Sequence, residues 1–442
     1  MNKSLQKKTS AWGWIPTLYF AQGLPYAVVM TLAVVLYKRL GVSNTDIALY
    51  TGWLYLPWVI KPLWSPFVDL LQTKRWWVLT MQGLVGAGLA GVALTLPVPH
   101  FFRWSLAVFW LVAFSSATHD IAADGFYMEA LDVREQSFYV GIRSTFYRVA
   151  TLAGQGLVVI LAGTLENRTG KPVVAWMATF FLLGALFVGL RLYHQWALPR
   201  PSKAGTAASV QTAAGVWKAF RATVTTFFQK RQAGVALLFM LFYRFPEAQL
   251  VKLINPFLLD PVEQGGLGLT TEQVGWVYGT VGVVGLTLGG ILGGWCASRG
   301  GLRRWLWPMA WSLSLTCLTF VYLGYAQPRS LALISLCVFV EQAGYGFGFT
   351  AYMLYLMYYS AGPYQTAHYA FCTAFMALGM MLPGMAAGWL QEQMGYAHFF
   401  VWVMLCCLVT IAVCAFVRID PAYGRSAEEA PYETNEKEGG KR

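Results

Sequence analysis

Roughly twelve apolar stretches, most of about 20 residues or more, follow one another from Trp12 to Arg418 with only short breaks between them. A helix needs about 20 predominantly apolar residues to cross the hydrocarbon core of a bilayer, and inside that core every backbone polar group must be paired within the protein. The stretches therefore predict membrane-spanning helices at 12–37, 46–66, 75–96, 104–129, 138–165, 173–198, 232–259, 270–297, 303–325, 330–358, 365–391 and 397–418. A transmembrane β-barrel would show alternating segments of about ten residues instead. Composition agrees: 57% of residues are hydrophobic and 12% charged, against roughly 45–50% and about 25% in soluble domains. The predicted fold class is an all-α membrane protein.

The net charge of +12 does not point to nucleic acid, because the basic residues sit in loops and tails. Lys3, Lys7 and Lys8 precede the first span, Lys74 and Arg75 follow the second, and Arg299, Arg303 and Arg304 follow the eighth. Lys218, Arg221, Lys230 and Arg231 lie in the central connection, whereas the loop after span seven carries Asp260 and Glu263, with Glu272 at the start of span eight. Under the positive-inside rule both termini are expected in the cytoplasm. Lys38 and Arg39 fall on the other side and read as side chains snorkelling at a helix end. The first span is too long for a signal-peptide core and stays in the chain. The seven cysteines lack metal-ligand spacing and read as small packing residues. Nothing calls for a cofactor or metal, and the expected partners are a small solute, protons and lipid, with the chain a monomer.

The order is six spans, a break, and six more. The expected units are 1–198, a linker at 199–231, 232–418, and a polar tail from 419 to 442. Trp217, Phe220, Val224 and Phe227 recur at helical spacing among basic residues, which predicts an amphipathic helix at the membrane interface. The two halves echo each other: Gly41–Ile47 parallels Gly268–Val274, and Ser65–Asp69 with Lys74 and Arg75 parallels Gly293–Ala297 with Arg299, Arg303 and Arg304. Parallel six-helix halves related about the membrane normal are the pattern of major facilitator transporters, and the echoed loop resembles their G-x-x-x-D motif. A carboxylate there, Asp69, would hold one side shut in one state, with Lys61, Arg75, Arg303 and Arg304 as further gating candidates. Lys74 and Arg75 are equally readable as topology signals alone.

Charged groups inside spans are costly and mark pathways or partners. Asp120 and Asp124 are spaced i, i+4 and share a helix face. Two carboxylates this close resist ionising together, which suits proton coupling; the alternative is a solvated pair at a helix end. Arg148, one span later, is the expected partner, in a switchable or a static pair. Pro246 should kink span seven beside Arg244 and Glu247, a pair that either neutralises itself or presents Arg244 to a substrate anion, with Glu247 joining proton coupling. Gln22, Glu341 and Gln342, the glycines at 344, 346 and 348, and the span-ten tyrosines including Tyr345 and Tyr352 complete the candidate substrate surface. His368 reads as a hydrogen-bonded packing residue.

Gly23-Leu-Pro25, Lys61-Pro-Leu-Trp-Ser-Pro-Phe-Val-Asp69, Ala117-Thr-His-Asp-Ile-Ala-Ala-Asp124, Tyr147-Arg148, Tyr243-Arg-Phe-Pro-Glu247 and Gly384-Met-Ala-Ala-Gly-Trp389 together resemble the muropeptide permease (AmpG-like) branch of the major facilitator superfamily. That branch is grouped with acetyl-CoA carriers and related to siderophore carriers. The resemblance implies a proton-driven inner-membrane importer of cell-wall fragments, in which the two span-four aspartates matter for transport. Pro246-Glu247 stands where the family often has Gly-Asp, and His119 where Gln is common. Siderophore or acyl-CoA-type carriage remains an alternative. A membrane-embedded transferase is less well supported, since no nucleophile lies beside a His and an acid.

Overall fold

The computed structural model describes residues 10–131, 133–200, 213–362, 365–421 and 423. Among them, ten helices are long and apolar enough to cross a membrane: Ala11–Arg39, Lys74–Thr95, Phe101–Ala130, Thr145–Thr169, Pro172–Ala197, Ala233–Leu259, Thr271–Gly300, Leu302–Ala326, Leu331–Ser360 and Ala367–Phe416. The difference from twelve has two local causes. The stretch expected at 46–66 is split into Asn44–Trp53 and Leu56–Leu71, the second piece starting with Pro57 in its first turn, where proline's missing N–H costs nothing. The stretches expected at 365–391 and 397–418 run on as Gln365–Phe416, interrupted at Gly395, whose φ of 74° is non-helical and accessible to glycine without a Cβ clash.

The outer surface is apolar, as lipid contact requires. Leu182 is 57% exposed and Leu408 64%, and such residues recur on helices of both halves. All seven cysteines are buried free thiols, in line with a packing role.

Within the first half, Lys74–Thr95 packs on Phe101–Ala130 and Pro172–Ala197, and Ile15–Ala27 on Val133–Leu152. Within the second, Val283–Gly300 packs on Leu331–Ser360, and Phe245–Leu259 on Gln365–Phe416. The halves meet reciprocally: Asn44–Trp53 lies on Gln365–Phe416, and Thr271–Val274 on Val158–Thr169. Both echoed segments start helices. Ser43 accepts from the Asp46 N–H, and Thr270 forms a capping box with Gln273, satisfying donors that a helix N-terminus leaves orphaned. At each seam a glycine admits the other half's backbone: a Cβ on Gly388 would overlap the Asn44 carbonyl, and one on Gly163 the Glu272 amide. Three stretches at or near these seams, Val28–Leu32, Ala153–Leu157 and Gly275–Gly282, are π-helical.

The central amphipathic helix exists, as Ala213–Phe228, but its apolar anchor is not a lipid face. Phe227 is fully buried and meets the rings of Tyr359, His368, Phe371 and Phe375, while Lys230 Nζ donates to the carbonyls of Tyr359 (2.6 Å) and Ala361 (2.9 Å). The helix is docked on the second half. The residues expected as flexible linker at 201–212 and as tail from 424 lie outside the described residues.

Candidate functional site

A cavity of about 3140 Å³ lies between the halves. It reaches the side of the molecule that carries Lys74, Glu129, Arg200 and Phe220, which line its mouth. This is the side of the docked linker helix.

The opposite side is shut by a polar seam. Lys38 Nζ lies 2.6 Å from Asp260 Oδ1 with both side chains nearly buried, and Asp260 also accepts from the Tyr396 hydroxyl at 2.6 Å. Asn44 Nδ2 donates to Gln391 Oε1 (2.6 Å) and Tyr396 Oη (2.8 Å), and Thr45 donates through its backbone N–H and its hydroxyl to Glu392. A second cluster centres on Glu166, which accepts from Arg39 Nε (3.1 Å), Trp176 Nε1 (2.7 Å) and the Thr271 hydroxyl (2.7 Å). Lys38 and Arg39 are therefore not snorkelling. Each holds a carboxylate within the seam, Asp260 of the other half and Glu166 of its own, and Glu166 in turn ties in Thr271 across it. Their place on the wrong side of the positive-inside pattern was the available signal, together with the acidic loop at Asp260.

Asp120 and Asp124 both line the cavity, on the Phe101–Ala130 helix one turn apart. Asp120 is buried and accepts from Trp58 Nε1 at 3.0 Å. Asp124 is half-buried, pairs with Arg143 Nη2 at 3.0 Å and accepts from the Tyr19 hydroxyl at 3.2 Å. The Arg143 guanidinium lies over the rings of Tyr19 and Tyr127, 4.6 and 5.1 Å from their centroids. The partner expected at Arg148 is thus Arg143, because the Ile15–Ala27 helix packs on Val133–Leu152 so as to bring Tyr19 and Arg143 to the same acid. Arg148 is exposed on the cavity wall and forms no ion pair among the described residues. Lys61 also lines the cavity.

Across the cavity, the Ala233–Leu259 helix breaks between Phe242 and Phe245, with Arg244 outside helical geometry and Pro246 opening the second piece. Arg244 Nε and Nη2 reach Glu247 Oε2 at 3.0 and 2.8 Å, and Nη2 donates to the Tyr345 hydroxyl at 2.5 Å. Its guanidinium carbon sits 4.8 Å from the centre of Phe349. Glu247 lies in the first turn of the new helix, where the helix dipole favours an anion. Arg244, Glu247, Gln342, Tyr345 and Phe349 all line the cavity.

Three expected contact residues do not. Gln22, Glu341 and Tyr352 are absent from the cavity wall. Glu341 is buried and accepts from Gln342 Nε2 at 2.8 Å. Tyr352 donates to the Met240 carbonyl and stacks on Tyr243 at 5.4 Å, so it belongs to the core of the second half. Gly344, Gly346 and Gly348 face Thr316, Leu286 and Leu313, so the glycine stretch brings in neighbouring helices, and of the three only Gly346 also lines the cavity. The sequence reading missed the aromatic wall contributed by the first half, Tyr26, Tyr55 and Trp58. Single aromatics in apolar spans carry no periodic signal that separates cavity from belt.

Of the remaining gating candidates, Arg75 donates to the carbonyls of Gln195 and Leu198 in its own half. Arg303 and Arg304 are exposed. The Asp69 side chain lies outside the described residues. His368 is a packing residue, as expected, 3.2 Å from the Thr226 hydroxyl. A buried polar chain also went unread: Thr17–His194 (2.9 Å), His194–Gln82 (3.0 Å) and Gln82–His119 (3.0 Å) link four helices, His119 being the residue before Asp120.

A large cavity between two packed halves, open on one side and latched on the other, is the geometry of alternating access, and the comparisons agree with it. An Anhydromuropeptide permease of Escherichia coli (strain K12) is 26% identical over 418 residues, covering 90% of this chain and 78% of the relative. Putative transporter AmpG 4 of Rickettsia conorii is 24% identical, covering 90% and 94%. The crystal structure of the nucleoside transporter NupG superposes with a TM-score of 0.68 at 16% identity, covering 91% of this chain and 99% of that one. The Major Facilitator Superfamily model matches residues 17–361, and this chain belongs to that superfamily.

Proposed function

We propose that the chain is a proton-coupled importer of anionic sugar–peptide solutes of the anhydromuropeptide type. In this reading it works by alternating access in the bacterial inner membrane, with both termini in the cytoplasm. The observation that carries it is the cavity: 3140 Å³ exceeds the roughly 300–1,000 Å³ of an ordinary small-molecule pocket and suits a solute larger than a single sugar. Its aromatic wall offers stacking faces, and Arg148 and Arg244 offer donors to anions. The permease relatives favour the same solute class.

In this reading the pieces 44–53 and 56–71 together make one crossing, and Gly395 divides the last helix into two. That gives twelve crossings in two six-helix bundles and one functional monomer. The basic linker side is then cytoplasmic, and the cavity faces inward. Asp124 and Arg143 form the switch: a proton on Asp124 weakens the pair and frees Arg143 to move with its helix, biasing the halves toward one state. Asp120, buried beside it, and Glu247, paired with Arg244, are the other proton-sensitive groups.

The test is uptake of labelled anhydromuropeptide into proteoliposomes, with and without an inward proton gradient. Wild type accumulates the solute only with the gradient, while Asp124→Asn protein of the same purity and mass per vesicle does not. Gradient-driven accumulation by the variant equal to wild type would rule out the coupling role. Absence of uptake by wild type, with uptake of a siderophore or acyl-CoA in its place, would rule out the solute class.

A further inference from the structure

The described residues leave one cavity-lining cation buried without an anion. Lys252 sits mid-way along Phe245–Leu259, 2% exposed, on the cavity wall. It donates to the Thr51 hydroxyl of the other half at 3.0 Å, and its ammonium lies 5.0 Å from the centre of the Tyr55 ring. Among the described residues no carboxylate lies within ion-pair distance of it. Arg244 and Arg143 each have an acid; Lys252 has a neutral oxygen and a π face. A buried ammonium held this way is undercompensated, since removal from water is offset mainly by an opposite charge.

A second observation lies one turn further along the same helix face. Asn255 is 3% exposed and lines the cavity, and its Oδ1 accepts no hydrogen bond among the described residues. Buried carbonyl oxygens in native proteins are nearly always paired. Residues i and i+3 on a helix are neighbours, so the wall presents a cationic donor and an empty acceptor side by side.

We infer that Lys252 and Asn255 form a subsite for a carboxylate flanked by an N–H or O–H donor, as at the terminal residue of an acylated peptide. The carboxylate meets the Lys252 ammonium, and the adjacent amide N–H donates to Asn255 Oδ1. The subsite deepens the transport reading above and rests on it. Its position couples loading to movement: when the halves part on the latched side, Lys252 loses Thr51, and the solute carboxylate takes the vacated place. Neither residue stood among the sequence candidates, because a Lys eight residues past Arg244 in an apolar helix carries no signal of what it faces.

The experiment is calorimetric titration of the full-length detergent-solubilised protein with an anhydromuropeptide bearing a free terminal carboxylate and with its terminal carboxamide. Wild type binds the carboxylate form about 10- to 100-fold more tightly, the span expected of one charge-assisted hydrogen bond. Lys252→Met removes that preference, and so does Asn255→Asp, which supplies Lys252 with an internal anion. If Lys252→Met is not monodisperse, Asn255→Asp decides alone. Equal binding of both forms by wild type, or a preference kept in the folded variants, overturns the subsite while leaving the solute class standing. Wild type that binds neither form overturns both.

Discussion

The latch between Lys38 and Asp260 provides the sharpest test of how this molecule moves. In Asp260→Asn the carboxylate 2.6 Å from Lys38 Nζ becomes a neutral amide. The acceptor of the Tyr396 hydroxyl is kept, so packing changes little and charge changes most. The pair joins the two halves, and it exists only while this side is shut. A hydrogen bond to a charged group contributes about 1.5–3 kcal/mol net, and removing one member of a nearly buried pair leaves Lys38 uncompensated. The equilibrium between shut and open on this side should therefore move about 10- to 100-fold toward open. Spin labels at Lys171 and Val262, exposed positions in loops of opposite halves on this side, report that equilibrium by double electron–electron resonance. Wild type should give mainly the short distance, and Asp260→Asn a substantial long-distance population. Adding Glu166→Gln, which weakens the hydrogen bond that Thr271 donates to Glu166 across the seam, should increase it further. Identical distance distributions for wild type and the double variant would refute the reasoning that these pairs hold the side closed.

Two more outcomes follow from other parts of the molecule. Gln82→Leu strands His119 and leaves His194 only Thr17, both histidines being buried, and should cost about 1–3 kcal/mol, read as a lowered thermal midpoint in detergent with the fold retained; an unchanged midpoint would mean the chain of hydrogen bonds contributes nothing. Gly388→Val places side-chain atoms where the Asn44 carbonyl lies, so the halves cannot close on the latched side; uptake should be lost at normal expression, with the Lys171–Val262 label distance long. Wild-type uptake by this variant would show that the seam is not as tight as drawn.

Much of the architecture was readable from the chain because a bilayer imposes a length rule on every span. The same rule hides breaks. At Leu54–Tyr55 the helix is interrupted without a loss of apolar residues, so hydropathy alone misses that break, whereas the non-helical Gly395 falls in the gap expected between the last two spans. The site was half legible. Asp120, Asp124, Arg244 and Glu247 announce themselves as charges in apolar segments, and all four line the cavity. What sequence does not carry is which charge meets which. Arg143 and Arg148 are five residues apart and differ by more than a quarter turn, and only the packing of the first helix on the fifth predicted span chooses Arg143. Tyr352 looked like a ligand face because span ten is dense in tyrosines, but density cannot tell a ring turned to the cavity from one turned to Tyr243. Lys38 and Arg39 were legible as anomalies, and their meaning depended on residues more than a hundred positions away.

The π-helical stretches at 28–32, 153–157 and 275–282 carry a consequence for the stroke itself. A π-turn holds one residue more than its hydrogen-bond ladder needs, and that surplus can be handed along the helix, one bond exchanged for its neighbour, without any peptide group losing its partner in lipid. The Ala153–Leu157 and Gly275–Gly282 turns touch each other across the two halves, and Val28–Leu32 touches the first of them. The molecule thus keeps slack where its halves must slide, so a change of tilt can be taken up as a travelling dislocation, as a ruck carries a carpet across a floor, rather than as a break.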